Sequence, residues 1–183
     1  MISTLPVVAT NCQIFVIDTP ELVEPALSDL QNGDLIGFDT ETKPSFRKGE
    51  RNTVSLLQLS NSKRCYLFRL QMLGQDERIK NFLENPEIKK VGLSVRDDFR
   101  ALSRWMNVAP TNFIELQYYV KAFGIEQMSL QKIFAIIFQR KISKRQQLSN
   151  WEAPALSEAQ QLYAATDAWA CREIYYELRR VIG

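Results

Sequence analysis

Residues 35–42 read Leu35-Ile36-Gly37-Phe38-Asp39-Thr40-Glu41-Thr42, an apolar run that ends in two carboxylates separated by one residue. If Leu35 to Thr40 form a strand, side chains alternate between its faces. Leu35, Gly37, Asp39 and Glu41 then share one face, and Ile36, Phe38 and Thr40 the other. Apolar residues on both faces mark a strand covered on both sides, the pattern of central strands in α/β sheets. Two carboxylates ~4 Å apart at an effective dielectric of ~20 repel by ~4 kcal/mol, so the pair asks for a cation between them. Oxygen donors of this kind suit hard divalent ions, Mg²⁺ or Mn²⁺. Taken alone, the eight residues also fit a simpler reading, a strand that ends in a polar loop.

On the N-terminal side, Gln13 to Asp18 (QIFVID) reads as a strand. Thr19-Pro20-Glu21 then opens a helix that stops at Asn32-Gly33. On the C-terminal side, Thr53 to Ser60 and Arg64 to Leu70 form a strand pair around a turn at Asn61-Ser62-Lys63. The spacing then predicts a helix over Asp76–Leu83, a short strand over Lys89–Val95 and a helix over Arg96–Met106. Phe113–Leu116 reads as extended, with helices near Tyr118–Phe123 and Leu130–Gln139. Ser157-Glu158 opens a long last helix. The order implies one α/β domain of mixed sheet over residues 1–183.

Composition narrows the chemistry. The chain has 183 residues, 45% hydrophobic and 24% charged, which suits a soluble protein with one full core. No apolar run reaches the ~18 to 20 residues of a membrane span, and no signal-peptide pattern opens the chain. Cys12, Cys65 and Cys171 are odd in number and lack zinc spacing. These features lead us to expect an intracellular protein, cytoplasmic, or nuclear in a eukaryote. There is no histidine, so Ser-His-Asp hydrolases, papain-like proteases and HExxH metalloproteases are excluded. Acid–base or metal chemistry must come from carboxylates, tyrosine, lysine or water. The net charge of +2 is small, but Lys43, Arg47, Lys48 and Arg51 form one basic cluster and Arg140, Lys141, Lys144 and Arg145 another. Such clusters suit a polyanionic substrate, although solvated surface reads the same way.

Two further stretches supply acids. Val91 to Asp98 (VGLSVRDD) carries a strand into a helix, where Asp97 and Asp98 fit either capping or an inward carboxylate. Tyr163-Ala164-Ala165-Thr166-Asp167 lies in the last helix, and Tyr163 and Asp167, four apart, share a face with Gln160 and Ala164. Leu162, Ala165 and Trp169 are expected to point more toward the core.

The combination of these stretches resembles the DEDD superfamily of 3′–5′ exonucleases along nearly the whole chain. The tyrosine at Tyr163 places it with the tyrosine subgroup, the RNase D-like enzymes. Phe38 to Glu41, Val54 to Leu59, Val91 to Leu102, Ser149 to Glu152 and Leu162 to Ala168 are similar in particular to the exonuclease domain of the Werner syndrome helicase and its stand-alone relatives. The resemblance implies a ribonuclease H-like mixed sheet flanked by helices. It also implies hydrolysis of nucleic acid from the 3′ end to nucleoside 5′-monophosphates, assisted by two Mg²⁺ or Mn²⁺ ions. By position, Asp39, Glu41 and Asp167 would bind metal, Asp98 would complete the second site, and Tyr163 would orient the attacking water. Glu115 stands where many relatives have aspartate, outside the catalytic set. Thr40, Arg145 and Trp151 are the expected substrate contacts; Trp151 or Phe46 could stack on a base, although core or loop packing is the favoured reading of either ring. The chain ends just past the last helix with no helical RNA-binding extension, which favours DNA as substrate. An RNase D-like exoribonuclease and a catalytically silent binding module are the alternatives. The sequence leaves the oligomeric state open.

Overall fold

The computed structural model describes residues 2–50 and 52–182; Arg51 of the first basic cluster lies outside them. Six strands form one mixed sheet: β1 (Gln13–Ile17), β2 (Ile36–Thr42), β3 (Val54–Ser60), β4 (Arg64–Arg69), β5 (Lys90–Gly92) and β6 (Phe113–Glu115), in the order β1-β4-β3-β2-β5-β6. β2, β3 and β4 are antiparallel neighbours, whereas β1 joins β4, and β5 joins both β2 and β6, in parallel. The helices are α1 (Pro20–Gln31), α2 (Leu70–Leu73), α3 (Glu77–Glu84), α4 (Val95–Trp105), α5 (Leu116–Tyr119), α6 (Leu130–Phe138) and α7 (Glu158–Ile182). No described helix is long and apolar enough to cross a membrane.

β2 is central and covered on both faces, as its apolar residues require. Ile36 and Phe38 join Leu57, Leu59 and Phe68 under α1, α3 and α4. On the opposite face, Leu35 packs with Ala170, Cys171 and Ile174 of α7. Gly37 shares that second face, and the backbone of α7 presses directly on it. A Cβ at Gly37 would sit 2.0 Å from the Ala168 carbonyl oxygen, a spacing no side chain tolerates. The absence of a side chain there, together with Ala164, Ala165 and Ala168, lets the last helix lie against the sheet beside the acidic strand end.

Two local details differ from the sequence reading. The strand expected over Lys89–Val95 stops at Gly92, because Ser94 turns left-handed (φ 58°) and α4 begins at Val95. The helix expected at Tyr118–Phe123 divides into α5 and a 3-10 turn over Val120–Phe123.

Candidate active site

Asp39 and Glu41 end the exposed part of β2 on the face that meets α7. The register with β3 slips between Glu41 and Thr42, a bulge that bends the strand away just past the second acid. Asp167 arrives from α7. One carboxylate oxygen from each of Asp39, Glu41 and Asp167 lies within 4.8 Å of the other two. Such a cluster, deep and oxygen-only, fits a hard divalent cation. Asp167 Oδ1 is buried with no hydrogen-bond partner, so the cluster also contains an acceptor without a donor.

Burial and mutual repulsion govern the charges. Burial raises the pKa of Asp39, opposed by the Thr40 amide N–H, which donates to its Oδ1 at 2.9 Å. Glu41 is raised by burial and then by Asp39, Asp167 and Asp98. Asp167 is held well above the ordinary carboxylate range by burial and Asp39, while the Tyr163 hydroxyl and Lys144 pull it down. Three acids that resist ionisation together are what a site looks like when its positive charge must come from outside.

Asp98 stands apart from the trio. Thr40 projects from the other face of β2 and its hydroxyl donates to Asp98 Oδ1 on α4. Asp98 is close enough to Asp39 for that charge to raise its pKa, after burial. Its neighbour Asp97 points outward, accepting from Ser94 Oγ at 3.1 Å and pairing with Arg100 at 3.5 Å. Thr40 thus ties β2 to the helix that carries Asp98. The helix carrying Asp98 is fixed by Glu115, whose two carboxylate oxygens accept from the Ser94 N–H (2.8 Å) and the Val95 N–H (2.7 Å). Glu115 also accepts from the Gln117 N–H at 3.1 Å, so one carboxylate serves the N-termini of both α4 and α5.

Tyr163 lies one turn before Asp167, its ring buried against Trp151 with centroids 5.8 Å apart. Burial and the neighbouring acids raise its pKa, so its hydroxyl stays protonated and acts as a donor. Trp151 corrects the sequence reading. It is 0% exposed, and a ring with no free face has none to offer a base; it supports Tyr163 instead. The loop bearing Trp151 is pinned from two sides. Arg69, itself buried, donates to the carbonyls of Ala153 and Pro154. The Gln160 amide donates to Ser149 Oγ and the Asn150 carbonyl, at 3.0 and 3.1 Å. Ser157 and Gln160 exchange reciprocal bonds at the start of α7, a capping box.

The trio and Tyr163 line a cleft of about 280 Å³ together with Thr40, Leu93, Ser129, Leu130, Gln131, Lys144 and Gln147. Arg145 is absent from that lining. It borders an adjoining groove of about 270 Å³ beyond Tyr163, shared with Val7, Val8 and Leu162. The cation in the cleft is Lys144, which the sequence reading placed in a basic cluster but did not select; the cluster was the available signal. Leu162, expected toward the core, is 41% exposed on that groove. Phe46 is 84% exposed on the loop after β2.

Comparison with known proteins agrees with this geometry. The 3′-5′ exonuclease family profile matches residues 14–183. The chain is 35% identical over 167 residues to the mouse bifunctional 3′-5′ exonuclease/ATP-dependent helicase WRN, covering 88% of this chain and 12% of that protein. It is 32% identical over 154 residues to the exonuclease 3′-5′ domain-containing protein 2 of Drosophila melanogaster, covering 82% and 26%. The chain thus spans about an eighth to a quarter of the length of these relatives. Among solved structures, the Aedes aegypti Nibbler EXO domain superposes with a TM-score of 0.85 at 22% identity, covering 94% of this chain and 91% of that one. Escherichia coli RNase D superposes at 0.80 and 21% identity, covering 93% and 45%. These two share the fold, which makes the mixed sheet ribonuclease H-like as expected. With its profile match and its acidic residues on strand, helix and last helix, the chain belongs to the 3′-5′ exonuclease family, DEDD type.

Proposed function

We propose that this chain hydrolyses the terminal phosphodiester of a nucleic-acid strand from its 3′ end, with divalent-cation assistance and DNA as the favoured substrate. The observation that carries this is the convergence of Asp39, Glu41 and Asp167 within ligand distance, beside a protonated tyrosine. Asp39, Glu41 and Asp167 would hold Mg²⁺ or Mn²⁺, with Asp98 completing a second site across Asp39. When bound, such cations lower the pKa of a water and stabilise charge on the phosphoryl oxygens.

The protein's own groups do the rest. The Tyr163 hydroxyl, close enough to Asp167 to lower its pKa, would orient a water for in-line attack on phosphorus. As the water oxygen bonds to phosphorus, the bond to the penultimate O3′ breaks and that oxygen takes a proton, leaving a 5′-monophosphate. Tyr163 is far too weak an acid to serve as the base at neutral pH. Lys144 faces the same cleft and supplies fixed positive charge for a phosphate. The similarity to the mouse exonuclease/helicase supports the 3′-5′ polarity of the reaction.

The test compares a 3′-recessed DNA duplex with a tRNA-like RNA, with Mg²⁺ or Mn²⁺ and with EDTA. The expected result is stepwise shortening of the DNA from its 3′ end, abolished by EDTA and by Asp39→Ala or Asp167→Ala. Faster loss of the RNA would replace the DNA assignment with an exoribonuclease one. Activity that survived both substitutions would sink the assignment of the site.

A further inference from the structure

Directly across the ladder from Asp39 stands Gln58 of β3. Opposed residues of an antiparallel pair point to the same face, so Gln58 lies on the floor from which Asp39 and Glu41 rise. It is 0% exposed. Neither its Nε2 nor its Oε1 has a hydrogen-bond partner, and among the described residues no other buried side-chain amide is left wholly unsatisfied. Glu41, two residues beyond Asp39 on the same face, is the diagonal neighbour of Gln58 across the ladder. The surrounding floor is apolar, built from Leu56, Cys65 and Leu67 under Ala164 and Ala168. Ser60, the next residue on this face, is satisfied locally by the carbonyls of Asn61 and Arg64.

If packing were all that this position had to do, an apolar side chain of the same size would do it better, because a buried amide without partners is destabilising. The amide gains a partner at a cation site, because a carboxylate that gives one oxygen to a metal keeps its other oxygen as an acceptor. A carboxylate accepting from an amide N–H gains a charge-assisted bond and a fixed orientation.

We infer that Gln58 is a positioning residue for the cation site, its Nε2–H donating to the ionised Glu41 carboxylate and fixing which oxygen turns to the metal. The inference rests on the proposed cation site. Groups that orient metal ligands in this way typically change metal affinity 10–100-fold.

The experiment titrates Mn²⁺ alone into wild type, Gln58→Met and Ser60→Ala by calorimetry, with thermal unfolding of each in EDTA and in Mn²⁺. Gln58→Met is expected to bind Mn²⁺ roughly 10–100-fold more weakly. Its melting temperature in EDTA should be unchanged or higher, with a smaller gain on adding Mn²⁺. Ser60→Ala should bind as wild type does. Equal Mn²⁺ affinity in Gln58→Met and wild type would overturn the inference while leaving the cation site standing. A variant that loses stability in EDTA without losing affinity would also overturn it, making Gln58 a packing residue. Wild type with no saturable Mn²⁺ binding would remove the cation site itself. A measurement on unmutated protein guards against a variant that fails to fold. The Gln58 side-chain amide resonances should move downfield on adding Mg²⁺, and resonances that stay in place would overturn the inference.

Discussion

Asp167 is buried on α7, with one oxygen unpartnered and Asp39 and Glu41 at ligand distance, so without a cation burial and Asp39 oppose its ionisation more than Tyr163 and Lys144 favour it. Asp167→Asn removes the ionisable group while keeping its shape. We expect it to stabilise the metal-free protein by about 1–3 kcal/mol, a rise in melting temperature of several degrees, while eliminating nuclease activity. Thermal unfolding in EDTA, set beside a 3′-end degradation assay, reads both changes. Tyr163→Phe keeps the ring on Trp151 and deletes only the hydroxyl. It should lower kcat by roughly 10²-fold or more with little change in KM, because a group that orients the nucleophile acts in the transition state. These residues stood out in sequence only in combination, through the resemblance to the exonuclease family, since each stretch alone also reads as an ordinary strand end or helix face. The substrate contacts were less legible. Arg145 and Lys144 are adjacent and alike in sequence, and only the path of the 140–147 loop puts Lys144 into the cleft. Trp151 was open in sequence to stacking or packing, and only its enclosure by α7 and the sheet selects packing.

Among the elements, α4 and α7 set the distances of the site. α4 begins at a left-handed Ser94 whose side chain makes no cap bond, so Glu115 from β6 supplies the capping oxygens. Glu115→Ala strands three N–H groups. It should cost about 1–2 kcal/mol on denaturant unfolding and lower activity through displacement of Asp98. The sequence reading left Glu115 outside the catalytic set; the structure adds that it seats the helix of a candidate ligand. α7 is set by contact with Gly37, where even a methyl group meets the Ala168 carbonyl. Gly37→Ala should therefore destabilise by more than about 3 kcal/mol, or force α7 outward and weaken Mn²⁺ binding; unfolding and calorimetry separate the two. The glycine on the acidic face was visible in sequence, and so were the alanines of α7. Their meeting was not, because pairing a strand with a helix so distant in the chain leaves no local periodicity. Lys90 is a similar case. It reads as the start of a strand, yet its buried ammonium donates to the carbonyls of Leu83 and Asn85 at 3.2 and 3.0 Å and ties β5 to the end of α3.

For the whole molecule, the raised carboxylates make stability depend on pH in a definite direction. Asp39, Glu41 and Asp167 all have folded-state pKa values above their ordinary ones. Between those two limits the native state holds more protons than the unfolded chain, so stability is greatest below the ordinary carboxylate range and falls as pH rises toward the folded-state values. Metal-free protein should therefore unfold at a lower temperature at pH 8 than at pH 5.5. Mn²⁺ should reverse the trend, since the cation competes with those same protons and binds more tightly as pH rises. Melting curves with EDTA and with Mn²⁺ at the two pH values check both slopes. The mixed sheet and its helical cover were legible at this scale, because strand and helix periods alternate clearly along the chain. The strand order was not, since the parallel placements of β1 beside β4 and β5 beside β2 depend on crossovers that no local pattern records.

The sheet acids come from β2, and their partner acid and tyrosine come from the last helix, so the site joins segments made at widely separated times during synthesis. A nascent chain emerging through α6 already displays Asp39 and Glu41, but it lacks the helix that covers β2, β3 and β4. Contacts of such long sequence separation close late. A chain that stops before α7 lacks Tyr163 and Asp167, so the acidic cluster cannot be completed until the last helix is made. A fragment ending at Leu156 should neither fold cooperatively nor cut, and adding α7 as a separate peptide should restore both together.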